Sequence, residues 1–166
     1  MGPIPEELVE KTWQEVAGFS PIRANKEMMK IGNNQPELLA FVTELTERMG
    51  QEVKELGIYM FFVVYRMFQK AHGKTKKVSS EEIIECYENN ESLLKRLEKA
   101  HEKFLVRAAS IQISKQPYVT KYVVDALMEE DHEGEEAVAL TEEQKGFLFL
   151  LLKTVVDVLD QKGVNS

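Results

Sequence analysis

A chemistry-bearing pattern that occurs twice in this sequence is a run of glutamates. Glu6, Glu7 and Glu10 form one Glu-Glu-x-x-Glu run, and Glu81, Glu82 and Glu85 form a second. On a helix, carboxylates three or four residues apart share one face. Such a face can hold magnesium for phosphate chemistry. A helical phosphohydrolase of that kind would complete the cluster with a Glu-x-x-Asp pair on a following helix, and neither run is followed by one. The helix macrodipole supplies a simpler account, because acidic side chains are stabilised in the first turn of any helix.

His101 offers a different chemistry. With Glu98 three positions earlier it makes the Glu-x-x-His spacing of carboxylate-bridged dimetal sites in helical bundles. A complete site needs two such pairs and two further inward carboxylates. The other match, Glu129 with His132, sits in a stretch of six carboxylates over residues 129–136. That stretch does not follow the spacing of a calcium loop and reads as a solvated insertion or a contact for a basic partner. Glu98 flanks the apolar stripe that carries His101, so a hydrogen-bonded boundary histidine accounts for the spacing without a metal. No cofactor is expected. The metal candidates are therefore Glu98, His101 and the six helix-start glutamates.

Other catalytic signatures are absent: no phosphate-binding P-loop, no Gly-x-Gly-x-x-Gly, no Gly-x-Ser-x-Gly, no His-Glu-x-x-His and no Cys-x-x-Cys. Gly32-Asn33-Asn34, expected to break the chain ahead of Gln35-Pro36, could present backbone N–H groups to an anion, but a turn and a helix cap are the better account. Residues 70–77 carry four lysines and His72, which suit a helix C-terminus followed by a solvated junction. The formal net charge of −7 disfavours nucleic acid as a partner. The single cysteine, Cys86, points to a reducing compartment. With no signal peptide pattern and no apolar run near the length of a bilayer span, the expectation is a cytoplasmic chain that does not enter membranes.

What must position these residues is helical. Apolar spacing is 3.6-fold rather than alternating. The first helix is expected to run from Pro5 to about Gly18, with Leu8, Val9, Thr12, Trp13 and Val16 on its packed side. Others are expected around residues 22–31, from Pro36 to about Gly50, and over 51–72. After Ser79 and Glu82, which stand in capping-box register, Asn89-Asn90 is read as an interruption. A longer helix then carries the stripe Leu94, Leu97, His101, Phe104, Ala108 and Ile111. Pro117 opens the next helix, and Thr141 with Gln144 caps the last.

The order of these signals repeats. Gln35-Pro36 and Gln116-Pro117 each open an apolar helix, a glycine-led apolar block begins at Gly57 and at Gly146, and an acidic helix start precedes each half. The fold expected is all-α, a single domain over 1–166 with about seven or eight helices. It comprises two related units, 1–78 and 79–166, around two central helices that are apolar on nearly every side. For function, no catalytic activity is expected. The leading expectation is a small helical interaction or adaptor protein acting on a protein partner or as a homodimer. A metal-dependent enzyme and a binder of small apolar ligands are the alternatives.

Overall fold

Helix starts follow from local chemistry. Ser79 and Glu82 form a reciprocal capping box: the Ser79 N–H donates to Glu82 Oε1 at 3.1 Å and the Glu82 N–H to Ser79 Oγ at 3.2 Å. Thr141 and Gln144 repeat it at 3.0 and 3.1 Å. Ser20 accepts from the Arg23 N–H, and Pro21, Pro36 and Pro117 each occupy the first helical position, where a missing N–H costs nothing.

In this computed structural model, residues 2–98, 115–128 and 140–164 are described. They form seven helices and no strand: α1 (Glu6–Ala17), α2 (Pro21–Asn34), α3 (Pro36–Thr46), α4 (Gln51–His72), α5 (Ser80–Glu98), α6 (Pro117–Met128) and α7 (Glu142–Val164). The all-α class is therefore as expected. Among the described residues no helix is long and apolar enough to cross a membrane.

Two local expectations are corrected. Gly32, Asn33 and Asn34 do not break the chain; α2 continues to Asn34 and only Gln35 separates it from α3. Glycine at 32 gives close packing, since a Cβ there would lie 3.1 Å from Leu39 Cδ2 on the returning α3. Asn89-Asn90 does not interrupt α5 either. Asn90 is buried and hydrogen-bonded across to α7, so tertiary partners offset its poor helix propensity.

The most deeply buried stretches lie in α4 and α7. Residues 60–65 with Met67 and Phe68 are buried in α4, and residues 148–156 with 158–160 in α7. The two helices pack together. Gly57 lets them approach: a Cβ there would come within 3.2 Å of Leu148 Cδ2 and 3.1 Å of Thr46 Cγ2. Gly73, at φ 75°, ends α4 in a conformation that side chains disfavour.

α2 packs on α3 without a counterpart among the described residues, and the other contacts fall into pairs. α1 packs on α4 and crosses α6; α5 packs on α7 and crosses α3. α3 and α6 each lie on the long helix that follows them, and each also reaches the other long helix. α1 buries Val9, Thr12 and Val16, while α5 buries Ile83, Cys86 and Asn90 with the same spacing. The first helical carbonyls are those of Pro5 and Ser79, which accept from Val9 and Ile83. This register places Glu7 opposite Glu81, one residue away from the match the two acidic runs suggest.

Candidate binding groove between α1 and α6

Two buried glutamines fix the chain just ahead of α1 and of α5. Gln116 is the N-cap residue of α6, its carbonyl accepting from Thr120 N–H at 3.0 Å. Its side-chain Oε1 accepts the Ile4 N–H at 2.7 Å, and its Nε2 donates to Asp160 Oδ1 on α7 at 2.7 Å. One residue thus sets the origins of α1 and α6 against each other. Gln35 acts likewise at the junction before α5. Its Nε2 donates to Thr75 Oγ1 at 3.0 Å and to the Lys76 carbonyl at 2.8 Å, and its Oε1 accepts the Val78 N–H at 2.9 Å. The lysine-rich junction is consequently pinned through its backbone, rather than being only a solvated link. Both glutamines are almost wholly buried, where an unmade hydrogen bond is costly.

The crossing that Gln116 organises leaves a groove of about 240 Å³. α1 contributes Glu6, Val9, Glu10 and Trp13, and α6 contributes Tyr118, Lys121, Tyr122, Asp125 and Ala126. Each set has i, i+3, i+4, i+7 spacing, so each is a single helical stripe. Val9 is buried and Ala126 half-buried; Trp13 and Tyr118 are each 39% exposed. Lys121 Nζ lies 3.4 Å from Asp125 Oδ2. Glu6 and Glu10 are exposed and make no salt bridge with a described residue. The groove therefore presents three aromatic side chains, three carboxylates and one lysine.

The expected site residues fare differently. Glu6 and Glu10 line this groove, while Glu7 is exposed outside it. Glu81 and Glu85 are exposed on α5. Glu82 serves its capping box and pairs with Lys162 at 2.8 Å. Lys162 chiefly, with help from Ser79, holds its carboxyl below the usual carboxylate range. Among the described residues no three His, Cys, Asp or Glu side chains are grouped to hold a metal. His101, its Glu129–His132 counterpart and the acidic stretch lie outside the described residues, as does the side chain of Glu98. Cys86 is buried, its Sγ accepts from Gln161 Nε2 at 3.5 Å, and burial followed by the nearby Asp157 pushes its thiol up, the opposite of an activated nucleophile.

The groove aromatics do not stand out in the sequence. Trp13 falls within the apolar stripe of α1 and is expected to pack inward, yet it sits at the stripe's margin. The available signal is chemical type: Trp13, Tyr118 and Tyr122 all pair an apolar body with a polar tip, which suits a boundary between packed and wet surroundings. Comparison with family models, with curated proteins and with solved structures finds no match for this chain.

Proposed function

We propose that this chain is a small helical interaction protein without catalytic activity, and that its docking surface is the α1/α6 groove. The observation that carries this reading is the aromatic lining: Trp13 and Tyr118 are exposed at one crossing, beside the half-buried Tyr122. Trp and Tyr are enriched at binding hot spots because they offer large contact area at little conformational cost. The Gln116 clamp supports it by fixing both walls before a partner arrives, which lowers the entropy lost on docking. The reading also includes two related helical units. Its support is the pairing of helix contacts and the reciprocal clamps, in which Gln116 holds the entry to α1 and Gln35 the entry to α5.

Selection of displayed random peptides on the folded protein tests the docking role. The expected result is an enriched sequence pattern that binds the native chain and fails on Trp13→Ala and Tyr118→Ala variants with native circular dichroism. Enrichment of peptides that bind those variants equally well, or no enrichment beyond an unrelated helical protein, would contradict it. Self-association lost in the same variants would assign the groove to a second copy of the chain.

A further inference from the structure

We infer that the α1/α6 groove receives a cationic side chain, lysine or arginine, carried by a basic segment of a partner polypeptide; this rests on the docking role proposed above. Size comes first. At about 240 Å³ the groove falls below the range of sites that enclose drug-sized molecules, and suits one long side chain. Its chemistry selects the charge of that side chain. The faces of Trp and Tyr carry negative quadrupole density and attract lysine and arginine, Trp most strongly.

Charge complementarity points the same way. Glu6, Glu10 and Asp125 stand against Lys121 alone, and Lys121 is already paired with Asp125. First-turn placement explains Glu6 and Glu7 through the macrodipole. Glu10 lies beyond the first turn, one helical turn before Trp13 on the same stripe, so the dipole does not account for it. A cation seated over Trp13 or Tyr118 is attracted by the negative ring face and can donate charge-assisted hydrogen bonds to these carboxylates. An acidic or purely apolar segment would leave Glu6 and Glu10 without that compensation. The chain's own charge of −7 adds a long-range attraction for basic segments.

The chain has one tryptophan, and it is in the groove, so intrinsic fluorescence reads the site directly. The experiment titrates the full chain, at constant ionic strength, with hexalysine, hexaarginine, hexaglutamate and tetramethylammonium chloride. A saturable change with hexalysine or hexaarginine, and none with hexaglutamate, is expected. Glu10→Gln and Tyr118→Ala should each weaken binding about 5- to 10-fold, the size of one cation–π or charge-assisted contact. Glu7→Gln makes the same charge change outside the groove and should leave the affinity unchanged. Equal losses in Glu7→Gln and Glu10→Gln would reduce the effect to general electrostatics and overturn the inference. So would the absence of a saturable change with both basic peptides. Saturation by tetramethylammonium without saturation by either peptide would overturn the partner segment in favour of a small free cation. Groove-dependent peptides from the selection above that carry no basic residue would overturn this inference while leaving the docking role intact.

Discussion

The α1 and α5 sides of the molecule bury residues at the same spacing but are finished differently. α5 joins α7 through a buried polar network: Lys153 Nζ donates to Asn90 Oδ1 at 2.8 Å and to Asp157 Oδ2 at 2.7 Å, and Asn90 Nδ2 donates to Asp157 at 3.0 Å. α1 joins α4 through a partly buried ion cluster, in which Glu15 accepts from Arg66 at 2.8 Å and from Lys70, and Arg66 also faces Glu27 of α2 at 3.5 Å. At the crossings the contrast recurs. Phe41 and Tyr87 meet edge-on at 5.8 Å where α3 crosses α5. Tyr122 and Trp13, at the same offsets from the starts of α6 and α1, line the groove. The lesson is a division of labour: Phe41, Tyr87 and Tyr122 pack against the core, while Trp13 on α1 keeps aromatic surface accessible.

Cutting the buried network should have the largest effect. Asp157→Ala strips Lys153 of its charge partner, and losing one member of a buried pair costs about 3 kcal/mol or more. Thermal unfolding should show that loss, whereas Glu27→Ala on α2 leaves Arg66 its closer partner Glu15 at 2.8 Å and should change stability by less than about 1 kcal/mol. Similar losses in both variants would erase the contrast between the sides.

The two glutamine clamps come next. Gln116→Ala orphans the Ile4 N–H and removes a donor to Asp160, and Gln35→Ala orphans the Val78 N–H; each is expected to cost about 2 kcal/mol. Hydrogen exchange should separate them. Gln116→Ala should accelerate exchange near Ile4 and weaken groove binding, while Gln35→Ala should accelerate exchange near Val78 and spare it. Coincident exchange changes in both variants would mean the clamps are not local.

A smaller difference should separate the tyrosines. Tyr87→Ala removes an aromatic pair packed against the core and should cost about 1–3 kcal/mol, whereas Tyr118→Ala should stay within about 0.5 kcal/mol of the native chain and lose affinity instead. A stability loss for Tyr118→Ala as large as that for Tyr87→Ala would show the open crossing to be structural as well.

The smallest effect is acidic. Lys70 first, then Arg66, hold the Glu15 carboxyl below its ordinary value of 4.5. A carboxylate depressed in the folded state contributes stability above its unfolded value and loses it as pH falls through the folded one. Acidification below about pH 4.5 should therefore loosen α1 from α4 in the native chain more than in Glu15→Gln, as a steeper fall in melting temperature. Parallel curves for the two proteins would remove Glu15 as the source.

What was legible in the sequence was local. Ser79 with Glu82, Thr141 with Gln144, and proline at 36 and 117 announce helix starts because their partners lie within one turn. The roles of Gln35 and Gln116 were not legible beyond opening helices, since Ile4 and Gln116 meet across 112 residues of chain. Asn90 misled for the same reason: its helix is secured by Lys153 and Asp157, far along the sequence. Two of the groove's carboxylates, Glu6 and Glu10, drew notice for their spacing. The aromatic half of the groove escaped because Trp13 lies on the edge of an apolar stripe, where periodicity does not distinguish a packed side chain from one left accessible.

The most direct test of that division of labour is a two-dimensional ¹⁵N–¹H spectrum of the full chain titrated with hexalysine. The account predicts saturable shifts of the Trp13 indole N–H and of backbone amides in α1 and α6, with those around Phe41 and Tyr87 unmoved. Shifts centred on the α3/α5 crossing, or spread evenly over the acidic surface, would contradict it.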